Sequence, residues 1–312
     1  MSTANTGAYP DIFDTRQLKI FTTYEQQDSP YYNRYMNVVP ANTRHVDSIR
    51  FSGLGVVRLK YEGASIFYDA PVQGRRRRTV HQTYALGYRV TMEALNDALF
   101  DVLRRQPEDL GRSVREHKEN LAIGILDDSF DGLTHTGLDG RPLIDTAHPM
   151  LKPPIPGTTL SNELSPGVPF STEGLEAAIT NLHLTVSEEG RQLGYTMRPS
   201  MVIHHPSLEH QVAIVLDSEK RPGTDFNDVQ VVSTTRTGIT GLTLPHLLDP
   251  DSWWLAVSVA SMGERYPLRW NNRMDTWFDR DVDGQTKDRL YDAGYRASVE
   301  ILGWRGFVGS QV

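Results

Sequence analysis

Apolar and polar residues alternate with the period of a half-buried strand in two distant parts of the chain. Between Gly55 and Gly63, Val57, Leu59 and Tyr61 alternate with Arg58, Lys60 and Glu62, which predicts one side against a packed surface and the other in water. SIFYDAP continues the pattern, and TYALGYRV (83–90) supplies a second run, so residues 51–90 read as a long two-stranded excursion with its tip around 69–76. Such a ribbon is marginal in water without a third strand or a packed face. The clearest alternation comes later: Tyr291, Ala293, Tyr295, Ala297, Val299 and Ile301 against Asp292, Gly294, Arg296, Ser298 and Glu300. At about 3.3 Å per residue this predicts a strand more than about 30 Å long.

Helical spacing appears between these strands. Thr91 reads as an N-cap with Glu93 near the positive end of the helix dipole. Segment 92–105 is helical in composition, and Pro107 restarts the helix at a first-turn position. From there to Ser129, Leu110, Val114, His117, Leu121 and Ile125 recur every three or four residues, predicting a helix of roughly 35 Å. Residues 128–170, dense in Gly, Pro, Asp and Ser, read as loop. A helix from Thr172 (Leu175, Ala178, Ile179, Leu182), a strand at 199–206, a helix carrying Leu208, Val212 and Val215, and short strands through VQVV, GLTLPHLL and WWLAVSVAS follow. This alternation predicts a compact mixed domain over roughly 131–262, in an α+β protein. The first fifty residues have little periodicity, and YYNRYMNVVPANTRH (31–45) reads as an extended arm that needs a neighbour to lie on.

Composition narrows the function. The chain has 312 residues, a net charge of −7 and no cysteine, which removes disulfides, thiolate metal sites and cysteine nucleophiles. An acidic balance argues against a dedicated nucleic-acid binder, whose domain is strongly basic. No window reaches the ~20 apolar residues of a membrane span. The polar, mixed-charge first residues resemble neither a secretory signal nor a transit peptide, so the expected place of synthesis and work is the cytoplasm. Against this acidic background Arg75, Arg76, Arg77 and Arg78 stand in one run.

Catalytic and metal-binding patterns are weak. Asp279, Asp281, Asp283 and Gly284 match positions one, three, five and six of a calcium loop, but Leu290 occupies the place of the bidentate glutamate, which leaves an acidic turn between strands. His204, His205 and His210 invite a metal, yet neighbours on a strand point to opposite faces. Gly53-Leu54-Gly55 lacks the third glycine of a dinucleotide fingerprint and precedes no helix. Phosphate-binding and nucleophile-elbow motifs are missing, so no cofactor, metal or catalytic residue is assigned and the chain is not expected to be an enzyme.

Four passages in order carry a resemblance. MRPSMVIHHPSLEHQVAIVLDSEKRPGTDFNDVQVV (197–232), GLTLPHLLDPDSWWLAV (241–257), LYDAGYRASVEILGWRGFVGS (290–310) and DGRPLIDTAHP…TTLSN (139–162) resemble segments of the major capsid proteins of tailed bacteriophages, which have the Hong-Kong-97-type (HK97-type) fold. The resemblance implies an N-terminal arm (1–50), an extended loop over a neighbouring subunit (51–90), a spine helix (91–130) and an axial domain (131–262). Peripheral strands (263–303) and a C-terminal tail (304–312) complete it. It implies hexamers and pentamers of the chain itself closing into an icosahedral head around double-stranded DNA, without sequence-specific binding and without a membrane. Portal, scaffolding and decoration proteins are the further partners. Too few residues precede the loop for a fused scaffolding domain, so any scaffold the assembly uses is expected to be a separate protein. In that setting Lys60 and Arg75 to Arg78 are expected at a subunit interface, with acidic stretches such as DDSFD (127–131) and DRDVD (Asp279, Asp281, Asp283) as partners, since arginine forks suit carboxylates. A solvated loop whose charges contribute little is the alternative for the arginines. For the whole chain, the rivals are the shell of an encapsulin-like nanocompartment and a soluble metal-dependent hydrolase.

Overall fold

The computed structural model describes residues 10–27, 30–96, 100–194, 196–218, 232 and 237–312. In chain order the elements are α1 (Pro10–Glu25), α2 (Tyr32–Tyr35), β1 (Asn37–Pro40), β2 (His45–Phe51), β3 (Gln73–Val80), β4 (Gln82–Val90), α3 (Met92–Asn96) and α4 (Phe100–Asp127). The short strands β5 (His148–Pro149) and β6 (Thr159–Leu160) interrupt the loop region, followed by α5 (Thr172–Leu184), β7 (Pro199–His204), α6 (Glu209–Asp217), β8 (Thr240–Thr243) and β9 (Trp253–Val257). The chain closes with β10 (Leu268–Val282), β11 (Arg289–Ile301) and β12 (Phe307–Ser310). Of the expected VQVV strand, all but Val232 lies outside the described residues, as do positions 1–9 of the expected arm.

Two four-stranded sheets organise these elements, one ordered β1-β10-β11-β4 and the other β12-β9-β7-β8. The first is antiparallel except that β1 runs parallel to β10. Of the alternation predicted for β11, Tyr291, Ala293, Tyr295, Ala297 and Ile301 are buried as expected. Gly294, Ser298 and Glu300 on the opposite face are buried as well and Val299 is only half-buried, because the β2–β3 hairpin covers that face at the Ser298–Glu300 end. Helix α4 lays Leu110, Val114, Ala122, Ile125 and Leu126 into one core with Ala293, Tyr295 and Ala297. The second sheet is buried on both faces. Trp254 and Ala256 of β9 join the α4 core, while Trp253, Leu255 and Val257 join a second core with α5 and α6, so WWLAV reads as an unbroken apolar run instead of an alternating one.

Three expectations change. Helix α4 runs 28 residues, about 42 Å at 1.5 Å per residue, and passes straight through Pro107 instead of restarting there. The missing proline N–H removes one early-turn hydrogen bond, a loss that the packing of the following turns outweighs. The N-terminal arm expected over 1–50 contains the 16-residue helix α1, and its stretch 31–45 holds α2 and strand β1, which pairs with β10 of the same chain. Helix α1 crosses α4 at Gly111, where a Cβ would stand 2.8 Å from the Phe21 carbonyl oxygen. Finally, residues 52–72 form no strand: the hairpin is β2 with β3, and the arginines lie within β3 instead of at its tip.

Candidate assembly surface

The β2–β3 register splits the four arginines between two faces. Asp47 stands opposite Arg78, Ser48 opposite Arg77 and Ile49 opposite Arg76, and because strand side chains alternate, Arg76 and Arg78 share the face of Asp47. Arg78 grips that carboxylate with two hydrogen bonds of 2.8 and 2.9 Å, and Arg76 joins from the diagonal position. Hydrogen bonds from Arg78 and then Arg76 hold the Asp47 carboxyl far below the usual carboxylate range. Arg77 points the other way, half-buried, and donates to the carbonyl and hydroxyl of Thr136. Arg75 lies against Gly140, whose positive φ of 83° favours glycine and so leaves bare backbone under the guanidinium.

Beyond the hairpin, residues 52–72 make a loop tied at its neck and open at its end. The Ser52 N–H donates to the Val72 carbonyl (2.9 Å), and the Val72 N–H to the Ser52 hydroxyl (2.8 Å). Asp69 accepts from the Gly55 N–H at 2.8 Å and from Lys152. Past this neck, Val57 is 95% exposed, Leu59 80%, Tyr61 72% and Tyr68 85%. The alternation that predicts a strand is present in the sequence, but among the described residues no strand pairs with it and its side chains stand exposed. Lys60 is exposed on the same loop. Arg58 lies over the Phe67 ring at 3.9 Å.

The predicted acidic partners sit elsewhere. Asp279 and Asp281 are exposed residues of β10, paired across the ladder with Asp292 and Leu290. Asp283 opens the following turn and lies 3.4 Å from Arg89. Glu300, which anchors the hairpin base, is eight residues along β11 from Asp292, about 26 Å at strand spacing. One subunit therefore does not bring these carboxylates to its own Arg75–Arg78 run. Asp127 and Asp128 of DDSFD accept backbone N–H groups, from Leu248 and from Leu133, Thr134 and His135. His204 is buried with Nδ1 3.0 Å from the His205 carbonyl oxygen, and His205 accepts from the Ser207 N–H. Among the described residues no group of three His, Asp or Glu side chains is placed to hold a metal.

Two buried carboxylates that the sequence did not single out fasten the hairpin to the body. Glu300 accepts from Ser48 of β2 (3.0 Å), Thr79 of β3 (3.2 Å) and Asn271 of β10 (3.0 Å). Glu188 accepts from Arg50 of β2 and from Arg305, each at 2.6 Å, and from the Leu151 N–H at 2.9 Å. Burial raises the Glu188 carboxyl, but Arg305, the Leu151 N–H and Arg50 more than offset it, so it lies below its ordinary value. The hairpin is thus firmly rooted on one side and presents charge and apolar surface on the other.

Comparison with known proteins agrees with that architecture. A family model described as phage capsid protein matches residues 77–309. Curated protein sequences give no match. Among solved structures, the procapsid of bacteriophage JBD30 is similar at 15% identity with a TM-score of 0.54, covering 98% of this chain and 76% of that one. A virus-like particle from Pyrococcus furiosus is similar at 10% identity and a TM-score of 0.54, covering 96% and 99%. The capsid of cyanophage P-SCSP1u is similar at 9% identity and a TM-score of 0.56, covering 90% and 87%.

Proposed function

Given that this chain belongs to the phage capsid protein family, as a tailed-phage major capsid protein with the HK97-type fold, we propose that its copies assemble as hexamers and pentamers into an icosahedral head around packaged double-stranded DNA. Its role in this reading is structural and not catalytic, and its place is the virion capsid, built in the host cytoplasm. The observation that carries the reading is the loop of residues 54–68, where Val57, Leu59, Tyr61 and Tyr68 stand almost bare on a rooted hairpin. Apolar surface of that extent marks a protein–protein contact. A second copy is the partner: each copy offers the loop at one place and receives a loop at another, a heterologous contact that closes rings and shells.

In this reading residues 51–90 are the extended loop, 91–130 the spine, 131–262 the axial domain and 263–303 the peripheral strands, with the arm before and the tail after. Portal, scaffolding and decoration proteins complete the particle. Among the described residues no helix is long and apolar enough to cross a membrane. Light scattering on chromatographically separated protein, followed by electron microscopy, tests the proposal: rings of five and six or megadalton shells are expected. A monomer unchanged by a scaffold would overturn it. The likeness to the Pyrococcus furiosus particle favours a second reading, a nanocompartment shell, which particles holding a protein cargo in place of DNA would establish.

A further inference from the structure

His148 sits at the centre of a buried polar network whose geometry fixes its protons. Its side chain is fully buried and that of Asp139 is 3% exposed. Nδ1 lies 2.7 Å from Asp139 Oδ2, and Nε2 lies 3.0 Å from Asn162 Oδ1. A neutral imidazole has one donor and one acceptor nitrogen, so the identity of the atoms facing it decides its state. The Asn162 amide cannot be turned round: its Nδ2 donates to the Leu143 carbonyl (2.9 Å) and the Phe307 carbonyl (3.0 Å), while its Oδ1 also accepts the Asp145 N–H (3.0 Å). Turning it would set N–H against N–H and carbonyl against carbonyl. Asn162 therefore presents an acceptor to Nε2. Asp139 presents a carboxylate to Nδ1, with its other oxygen accepting the Arg141 N–H at 3.1 Å. Both ring nitrogens face acceptors, and both must carry a proton.

We propose that His148 is held as an imidazolium and serves as a proton-dependent lock joining the seat of the arginine hairpin to strand β12. On one side, Asp139 belongs to the tight turn in which the Gly137 N–H donates to the Arg141 carbonyl (2.6 Å) and the Gly140 N–H to the Gly137 carbonyl (3.0 Å). That turn carries Thr136, which receives Arg77, and Gly140, on which Arg75 rests. On the other side, Asn162 holds the Phe307 carbonyl of β12, and the His148 ring stacks on Trp304 at 4.5 Å and 14°. Loss of the Nε2 proton turns that nitrogen's lone pair toward Asn162 Oδ1, which has no alternative orientation. It also leaves the buried Asp139 carboxylate without its contact cation, a costly state.

The other charges around the lock are accounted for. Arg141 pairs with Asp145 at 3.4 Å, and Arg305 lies over the Trp304 ring at 4.6 Å. Arg50 and Arg305, which share Glu188, add a favourable field at Asp139. Burial raises the Asp139 carboxyl, but His148 first, then the Arg141 N–H and Arg50, more than offset it and keep it below its usual value. Asp139 thus faces Nδ1 as a carboxylate.

Two measurements on the full chain test the lock. In NMR of protein carrying 15N-labelled histidine, both nitrogens of His148 are expected to be protonated at pH 7; a single protonated nitrogen would overturn the proposal. In hydrogen exchange followed by mass spectrometry and corrected for intrinsic rates, protection of residues 133–149 is expected to fall with rising pH, by up to about tenfold per pH unit once the proton is lost. The reference helix α5 should stay unchanged. Protection of 133–149 independent of pH up to 9.5 would also overturn it. Asp139→Asn offers the ring an amide that can donate to it, so a neutral imidazole is then satisfied and the pH dependence should vanish. A variant that keeps the wild-type profile counts against the lock, and the two wild-type measurements decide the matter if the variant does not fold.

Discussion

Glu188 gathers donors from three separate stretches of chain: Arg50 in the hairpin, Leu151 in the loop region and Arg305 before β12. Glu188→Gln leaves two largely buried guanidinium groups facing a neutral amide, and breaking a buried pair from one side costs about 3–5 kcal/mol. Denaturant unfolding at pH 7 should show that loss. Its pH dependence has a definite sign. The folded-state carboxyl lies below the ordinary value, so its stabilisation is complete above the unfolded carboxylate range and fades as pH falls through the folded value. The gap between wild type and Glu188→Gln should therefore narrow below a pH of about 4; a constant gap would mean the carboxylate is not the source. Nothing in SEEGR distinguishes Glu188 from Glu189, because its partners lie 138 and 117 residues away. The arginine run shows the opposite case: period-two alternation, applied to β3, divides it into inward and outward pairs once the strand is located.

Elements with an apolar face were legible in the sequence, and those held by polar contacts were not. Strand β11 from Tyr291 to Ala297 and helices α4 and α5 carry their periodicity in buried apolar side chains. Helix α1 does not. Asp14 takes hydrogen bonds from Arg280 (2.7 Å), Arg289 (2.5 Å) and the Tyr291 hydroxyl (2.6 Å), and Glu25 pairs with Lys118 at 2.7 Å. Among the described residues of its buried stripe only Phe21 is apolar, beside Asp14 and Gln17, so no apolar period shows and the segment reads as an arm. Residues 55–63 fail for the converse reason, having a strand pattern that no surface among the described residues receives. Replacing Val57, Leu59 and Tyr61 together with serine should change subunit stability by less than about 0.5 kcal/mol per site, as exposed positions do, while greatly reducing the yield of rings and shells. Denaturant midpoints and electron microscopy of the same preparation separate the two effects; a shell yield equal to wild type would mean that the loop's apolar surface is not covered on assembly.

Charge is segregated across the whole molecule. Residues 45–80 hold seven Arg and Lys against three Asp and Glu, a net +4 in a chain of −7, which leaves −11 on the remainder. Within one subunit the excess is only partly met: Glu188 answers Arg50 from outside the segment, and the acidic strip of Asp279 and Asp281 stands roughly 26 Å along the sheet from the hairpin's anchor. Between copies the separation no longer holds, and a cationic hairpin meeting an acidic body favours pairing of unlike surfaces over like ones. Reversing Arg76 and Arg78 to glutamate, with Arg77 left in its seat, should leave the subunit folded, because exposed pairs contribute about 1 kcal/mol or less. Assembly should fail. If the acidic strip is the surface that receives the hairpin, adding Asp279→Arg and Asp281→Arg should restore shells while either half alone does not. Recovery by the double reversal would identify the contact across the subunit boundary. Normal shells from the reversed hairpin alone would show instead that the apolar loop, and not the arginines, brings copies together.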